Sequence, residues 1–339
     1  MIDLLPNPEQ QQIIDSVIEY FQDSMPVERL RPSHGKGPAI SSEQWQEIAR
    51  LGWFGMGVAE AKGGVGFTPL EEILIAFQSG RYLASPALLG AMLAAHIAAE
   101  SGEAALLAQI IQGDLRVGIA KPLAAALTPG AEIFLLDAVK AEALLVWNEA
   151  GAGLYPRTAF DHPRIVQPLD DSTALERGHF NGTPPLAWVP ATQADLPTHA
   201  QLLIASALAG VALAARDLTV EYAKTRQQFN QPIGAFQAVK HHCANMAVAA
   251  EAANAQALYA ALQFSCRSHD YKFEAAAASV ICVQAALGNA RLGIQIHGGM
   301  GFTSECDAHW YLKRAHLLEF LTGSPRLHRA ALLQSREAA

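Results

Sequence analysis

Apolar residues recur at helical spacing through most of this 339-residue chain, and they gather into strand-like runs only in its middle. Ile13, Ile14, Val17, Ile18 and Phe21 share one helix face, which predicts an amphipathic helix over 9–23. A Pro- and Gly-rich loop follows, roughly Pro26 to Pro38. Ser41 or Ser42 then serves as N-cap of a helix containing Trp45, Ile48 and Leu51, which Gly52 ends. The segment GMGVAEAKGGVGFT is too rich in glycine for a helix. Pro69, a favourable first-turn residue, restarts the helical period through Leu70, Ile73, Leu74 and Phe77. Two more helices are predicted near 86–100 and 103–112, divided at Gly102.

The pattern changes at about Val117. Short apolar runs, IFLL and ALLVW, lie within 132–148, and Pro, Gly and Asp crowd the stretch up to Pro197. This part reads as a few strands with long turns, short and irregular. From His199 the helical period returns over about 199–225, 236–267, 271–297 and 307–320, and Gly323-Ser324-Pro325 opens a last helix. Long helices joined by short turns predict an antiparallel four-helix bundle. The expected fold is mainly α: an N-terminal helical domain over 1–117, a reduced β-domain over 118–197, and the C-terminal bundle over 198–339.

Composition narrows the functional classes. Hydrophobic residues make up 51% of the chain, enough for a large core, and the length fits roughly two domains of about 150 residues. A net charge of −8 and the lack of a basic block argue against nucleic acid and anionic membranes as partners. The four cysteines, Cys243, Cys266, Cys282 and Cys306, form no CxxC pair, so neither a zinc site nor a redox dithiol is expected from them, and no metal is assigned. The start, MIDLLPNPEQ, lacks the basic and apolar regions of a secretory signal. The Ala-rich segments are interrupted by polar residues, so no membrane span is expected, and the cytoplasm is the expected location.

Two motifs carry candidate chemistry. The run RQQFNQPIGAFQAVKHHCANM, Arg226 to Met246, places an Arg, an aromatic and several Gln around a Pro-Ile-Gly turn between two helices. Arg226 can cap the preceding helix or give a planar bidentate phosphate contact. Phe229 can pack on an adenine ring, Gln237 can donate to phosphate or ribose, and the N-terminus of its helix favours an anion. An ordinary helical hairpin with a C-capping Arg remains the alternative. The second motif, QIHGGMGF, Gln295 to Phe302, ends a helix with glycines that allow close backbone approach. A simple glycine helix stop is its alternative. A dinucleotide-binding reading fails because a helix, not a strand, precedes the glycines. His297 by itself reads as a surface or capping residue.

These motifs, in this order, resemble the acyl-CoA dehydrogenase family. LGWFGMGVAEAKGGVGFTPLEE in the first helical part and the ending LLEFLTGSPRLHR are similar to it as well. The resemblance implies a helical domain, a central β-domain, a C-terminal four-helix bundle, FAD as cofactor, and α,β-dehydrogenation of an acyl-CoA thioester. It implies that Arg226, Gln228, Phe229 and Gln237 contact the FAD of a partner subunit, with Gln295, Gly298 and Gly299 at the adenosine end. Asn230 stands where the family usually has Gly, and Asn tolerates a left-handed backbone.

The departures are as informative. The family's usual catalytic carboxylate position holds Thr322, and a hydroxyl without an adjacent base is a poor proton acceptor. The alternative position, on the helix before the Arg turn, falls near Ala200, with Asp195 expected to precede that helix. His199 is the one candidate replacement base there, against a structural role. Glu305 and Glu319 read as solvated carboxylates. AKPLAAALTPG stands at the first flavin-ring segment and the second is not recognisable, so the isoalloxazine pocket is not expected from this chain. Together these features resemble the short non-catalytic subunits of α2β2 acyl-CoA dehydrogenases in steroid side-chain degradation. The implied partner is a homologous catalytic subunit, and the implied substrate a steroid-sized or other bulky acyl-CoA. A self-sufficient enzyme with an unusual base and a non-enzymatic assembly subunit are the competing readings.

Overall fold

The computed structural model describes residues 4–31, 40–124 and 127–337. Most of the expected Pro26–Pro38 loop, and the centre of AKPLAAALTPG, lie outside the described residues. The chain divides into two compact units, one of residues 1–32, 73–83 and 201–339, the other of 33–72 and 84–200.

The first unit is helical. Its opening helix, α1 (Pro8–Ser24), is fixed by a capping box between Asn7 and Gln10, and Val17 and Phe21 are buried as the period requires. The C-terminal part contains α6 (Leu196–Thr225), α7 (Gln237–Ser265), α8 (Tyr271–His297), α9 (Ala308–Thr322) and α10 (Pro325–Glu337). Small residues dominate the buried faces of α6, α7 and α8, so their backbones approach closely. Asn289 on α8 uses that proximity: its buried amide donates to the carbonyls of Ala212 and Met246 at 2.9 Å each, tying three helices together.

Helix α3 (Pro69–Arg81) meets α6 in the same unit through two glycines. A Cβ on Gly80 would lie 1.9 Å from the Ala207 carbonyl oxygen, and one on Gly210 would lie 1.9 Å from that of Phe77. No rotamer change relieves a clash with backbone. Gly210→Ala is therefore expected to exceed the usual overpacking cost of about 1–3 kcal/mol. A fall in the thermal midpoint by circular dichroism checks this; an unchanged midpoint would contradict the contact.

The second unit combines helices with a sheet. It contains α2 (Ser42–Arg50), capped by Ser41, and the start of α3, then α4 (Ala87–Ser101) and α5 (Ala104–Ile111), parted at Gly102 with φ 79°. The strands are β1 (Val117–Pro122), β2 (Glu132–Leu136), β3 (Ala143–Asn148), β4 (Gly151–Pro156), β5 (Phe160–Ile165), β6 (Leu175–Phe180) and β7 (Ala187–Pro190). They form one seven-stranded sheet in the order β5-β6-β2-β1-β3-β4-β7, with β1–β3 parallel and the other pairings antiparallel. The sheet is fuller than the few strands expected. Gly, Pro and polar residues in β4 to β7 obscure the period-2 signal, and pairing across distant sequence compensates. Ile133, Leu135, Leu144, Val146, Phe160 and Phe180 form its core. Helix α4, buried along nearly its whole length, packs on β1, β4 and β7.

Two helical segments, Leu196–Thr225 and Tyr271–Phe302, are long and apolar enough to cross a membrane by length and composition. This corrects the expectation that no such stretch exists. In each, most of the apolar window (72% and 56%) is buried inside the protein, so core packing accounts for the hydropathy. The cysteines differ in the same way. Cys266 is exposed, whereas Cys282 is buried, donates to the Ala253 carbonyl, and has its thiol pKa pushed up by burial. Maleimide labelling of the native protein is expected at Cys266 and at Cys282 only on unfolding; mass mapping of labelled peptides checks this.

Candidate cofactor half-site

The end of α6 and the start of α7 are joined by a short hairpin. Strand β8 (Gln227–Gln228) pairs with β9 (Gln231–Pro232), and Phe229 and Asn230 form its tip with φ of 50° and 62°. A two-residue hairpin loop with both central φ positive is a type I′ turn. Asn230 suits that conformation, as expected. Phe229 does not: a bulky aromatic in the left-handed region is costly, and its side chain is 86% exposed. Its ring meets that of Phe236 edge-on, with centroids 6.0 Å apart. Strain and exposure at one aromatic residue point to a role outside this chain's own packing.

The other turn residues are placed to match. Arg226 is exposed, its backbone N–H donates to Tyr222 O, and among the described residues nothing pairs with its guanidinium. Gln228 and Gln237 are exposed. Helix α7 starts at Gln237 with no side-chain cap from Phe236, so first-turn N–H groups stay open to an anion.

The glycine motif lies at the end of α8, close to the same turn. Gly298 adopts φ 62° and ψ −139°, and a Cβ on Gly298 or Gly299 would meet nothing within 4 Å. Gln295 is exposed. His297 is buried rather than on the surface. Its Nδ1 lies 2.7 Å from Gly293 O and its ring stacks on Tyr222 at 4.2 Å. Tyr222 is one helical turn before Arg226, so this stack holds the two motifs together. An open glycine cradle, exposed amide donors, an uncommitted guanidinium and an exposed aromatic fit the adenosine and pyrophosphate of FAD.

At the position to which the family resemblance assigns the base, α9 ends with Thr322, and Gly323 follows with φ 103°. Thr322 Oγ1 lies 3.4 Å from His328 Nε2. His328 Nδ1 lies 3.4 Å from the amide nitrogen of Gln201, which also donates to Ser279 Oγ at 2.9 Å. Thr322, His328 and Gln201 thus form one chain of hydroxyl, imidazole and amide. The sequence reading missed His328, although it lies within the quoted C-terminal motif. Asp195 precedes α6, as expected, and caps it by accepting from Thr198 N–H. Glu305 is exposed, and Glu319 pairs with His316 at 3.2 Å.

His199 is not an isolated histidine. In the second unit its Nε2 lies 2.8 Å from Oε2 of Glu72, and His96 Nε2 lies 2.9 and 3.1 Å from the two Glu72 oxygens. Gly57 N–H donates to the same carboxylate. Glu72 is fully buried and His199 is 2% exposed. Burial opposes the charged carboxylate, but the two imidazoles outweigh it and hold the Glu72 pKa well below the usual range. Burial likewise opposes a charged His96, and Glu72 outweighs it, raising the imidazole pKa. A ring committed to this cluster is poorly placed to act as a base on substrate.

Comparison with known proteins identifies the family. Residues 7–113 match the acyl-CoA dehydrogenase N-terminal domain and 194–335 the C-terminal domain. The acyl-CoA dehydrogenase IpdE2 of Mycobacterium tuberculosis is 30% identical over 332 residues, covering 95% of this chain and 96% of the relative. The ChsE4-ChsE5 complex from Mycobacterium tuberculosis has the same fold, with a TM-score of 0.86 at 20% identity over 100% of both chains. So does a variant of the Tcur3481-Tcur3483 steroid ACAD, with a TM-score of 0.81 at 22% identity over 97% and 98% of the two chains. The chain belongs to the acyl-CoA dehydrogenase family.

Proposed function

We propose that this chain is the cofactor-completing subunit of a heteromeric, FAD-dependent acyl-CoA dehydrogenase. It pairs with a homologous catalytic subunit, as α2β2, and lacks a base of its own. The carrying observation is the contrast between two ends of one helical unit. The Arg226 hairpin and the Gly298 turn present donors outward, while Thr322, in contact with His328, holds the position to which the resemblance assigns the family's carboxylate.

In this reading Arg226 holds pyrophosphate oxygens bidentately. Phe229 covers the adenine, Gln228 and Gln237 donate to phosphate and ribose, and Gln295 with Gly298 and Gly299 lets the adenosine lie against backbone. FAD, when bound, would supply the acceptor for one hydride, carrying both electrons, from the substrate β-carbon, and the α-proton would go to a carboxylate of the catalytic subunit. The similarity to the acyl-CoA dehydrogenase IpdE2 supports an acyl-CoA substrate, and the likeness in fold to a steroid ACAD supports a bulky, steroid-sized acyl group.

Expression with and without a second short acyl-CoA dehydrogenase chain tests the assignment. Alone, the protein is expected to be colourless and inactive; the co-purified complex is expected to hold flavin and oxidise acyl-CoA. A yellow homo-oligomer active on acyl-CoA would overturn it.

A further inference from the structure

We propose that Glu72, His96 and His199 form a binding site for a divalent transition-metal ion of the zinc class. This site lies in the sheet-containing unit and is independent of the functional reading above.

Three helices supply the donors: Glu72 from the first turn of α3, His96 from α4 and His199 from the first turn of α6. One carboxylate oxygen and two imidazole nitrogens lie within 4.8 Å of one another. Two imidazoles and a carboxylate, without sulfur, are a donor set that suits zinc and its first-row neighbours rather than magnesium or calcium. Bonds of about 2.0–2.1 Å would place neighbouring donors of a tetrahedral shell roughly 3.3 Å apart. The carboxylate–imidazole separations of 2.8, 2.9 and 3.1 Å are slightly shorter. Small side-chain rotations that draw the two imidazoles together would therefore admit an ion, with a water as fourth ligand.

The surroundings preorganise the donors. Gly57 N–H lies 3.2 Å from Glu72 Oε1 and fixes the carboxylate plane. A Cβ at position 57 would come within 2.6 Å of the Glu72 carboxyl carbon, so the site needs glycine there. The His96 side chain is 13% exposed and gives an ion a route inward. On binding, each imidazole turns its Nε2 lone pair to the ion; a proton held there moves to Nδ1 or leaves to solvent. The buried carboxylate then gains a fixed counter-charge that links three helices.

Untagged full-length protein, stripped with chelator, would be equilibrated with zinc or cobalt(II), gel-filtered and analysed for metal. About one equivalent per chain is expected, with visible ligand-field absorption for cobalt and a raised melting temperature. His96→Gln and His199→Gln are expected to lose the metal. A His241→Ala/His242→Ala double variant, which removes an exposed histidine pair on α7, is expected to keep it. Folded wild-type protein that retains no metal would overturn the proposal. So would loss of the metal in the surface variant, or undiminished binding in a folded His96→Gln variant. Should both core variants fail to fold, the wild-type metal content and cobalt spectrum decide alone.

Discussion

Replacing Arg226 by alanine is expected to strip flavin from the assembled complex while leaving the subunit folded and assembled. The side chain is exposed and nothing among the described residues pairs with its guanidinium, so its removal should change the stability of the chain by no more than about 0.5 kcal/mol. Its proposed partner is a pyrophosphate that the interface desolvates. Removing one member of such a pair typically costs about 2–5 kcal/mol. At about 1.4 kcal/mol per tenfold, cofactor affinity should fall roughly 30- to several-thousand-fold. Flavin absorbance per complex after gel filtration reads this, with circular dichroism melting as the control. Arg226→Lys should rescue part of the loss, since an ammonium keeps the charge but not the planar fork. Unchanged flavin content in the alanine variant would favour a scaffold that kept the bundle for assembly alone.

That hairpin was legible because its chemistry is contiguous. Aromatic, Arg and amides all fall within a dozen residues and the flanking helices have long, clear periods, although the turn centres on Phe229 and Asn230 rather than on the Pro-Ile-Gly expected. Helix limits follow for the same reason: Ser41, Pro69 and Gly102 are local signals, and each stands at or next to the boundary it predicts. The sheet was less visible. Strand β5 is exposed along nearly all its length and carries a register shift between Asp161 and Arg164, so no alternation survives to be read. His297 misled because its defining contact, the stack on Tyr222, joins two helices far apart in sequence. His328 passed unnoticed as one residue of a C-terminal motif; only folding brings it to Thr322 and Gln201. The same holds for His199, an isolated candidate in sequence and one member of a three-residue cluster in the fold.

Replacing Glu72 by alanine should give the largest loss of stability. The carboxylate is 0% exposed and receives two imidazoles and a backbone N–H. Its removal leaves those donors facing a buried cavity without their acceptor. Breaking a buried pair by deleting one partner costs about 3–5 kcal/mol, a large share of the roughly 5–15 kcal/mol that holds a typical protein folded. Glu72→Gln separates shape from charge. The amide fills the space and keeps one acceptor, but it cannot neutralise an imidazolium or bind an ion, so an intermediate loss is expected. Chelator-treated samples isolate the side-chain contacts from any metal. Urea unfolding followed by far-ultraviolet circular dichroism should order the proteins as wild type, Glu72→Gln, Glu72→Ala. An alanine variant as stable as wild type would mean that the imidazoles find other partners and that this cluster does not hold its helices together.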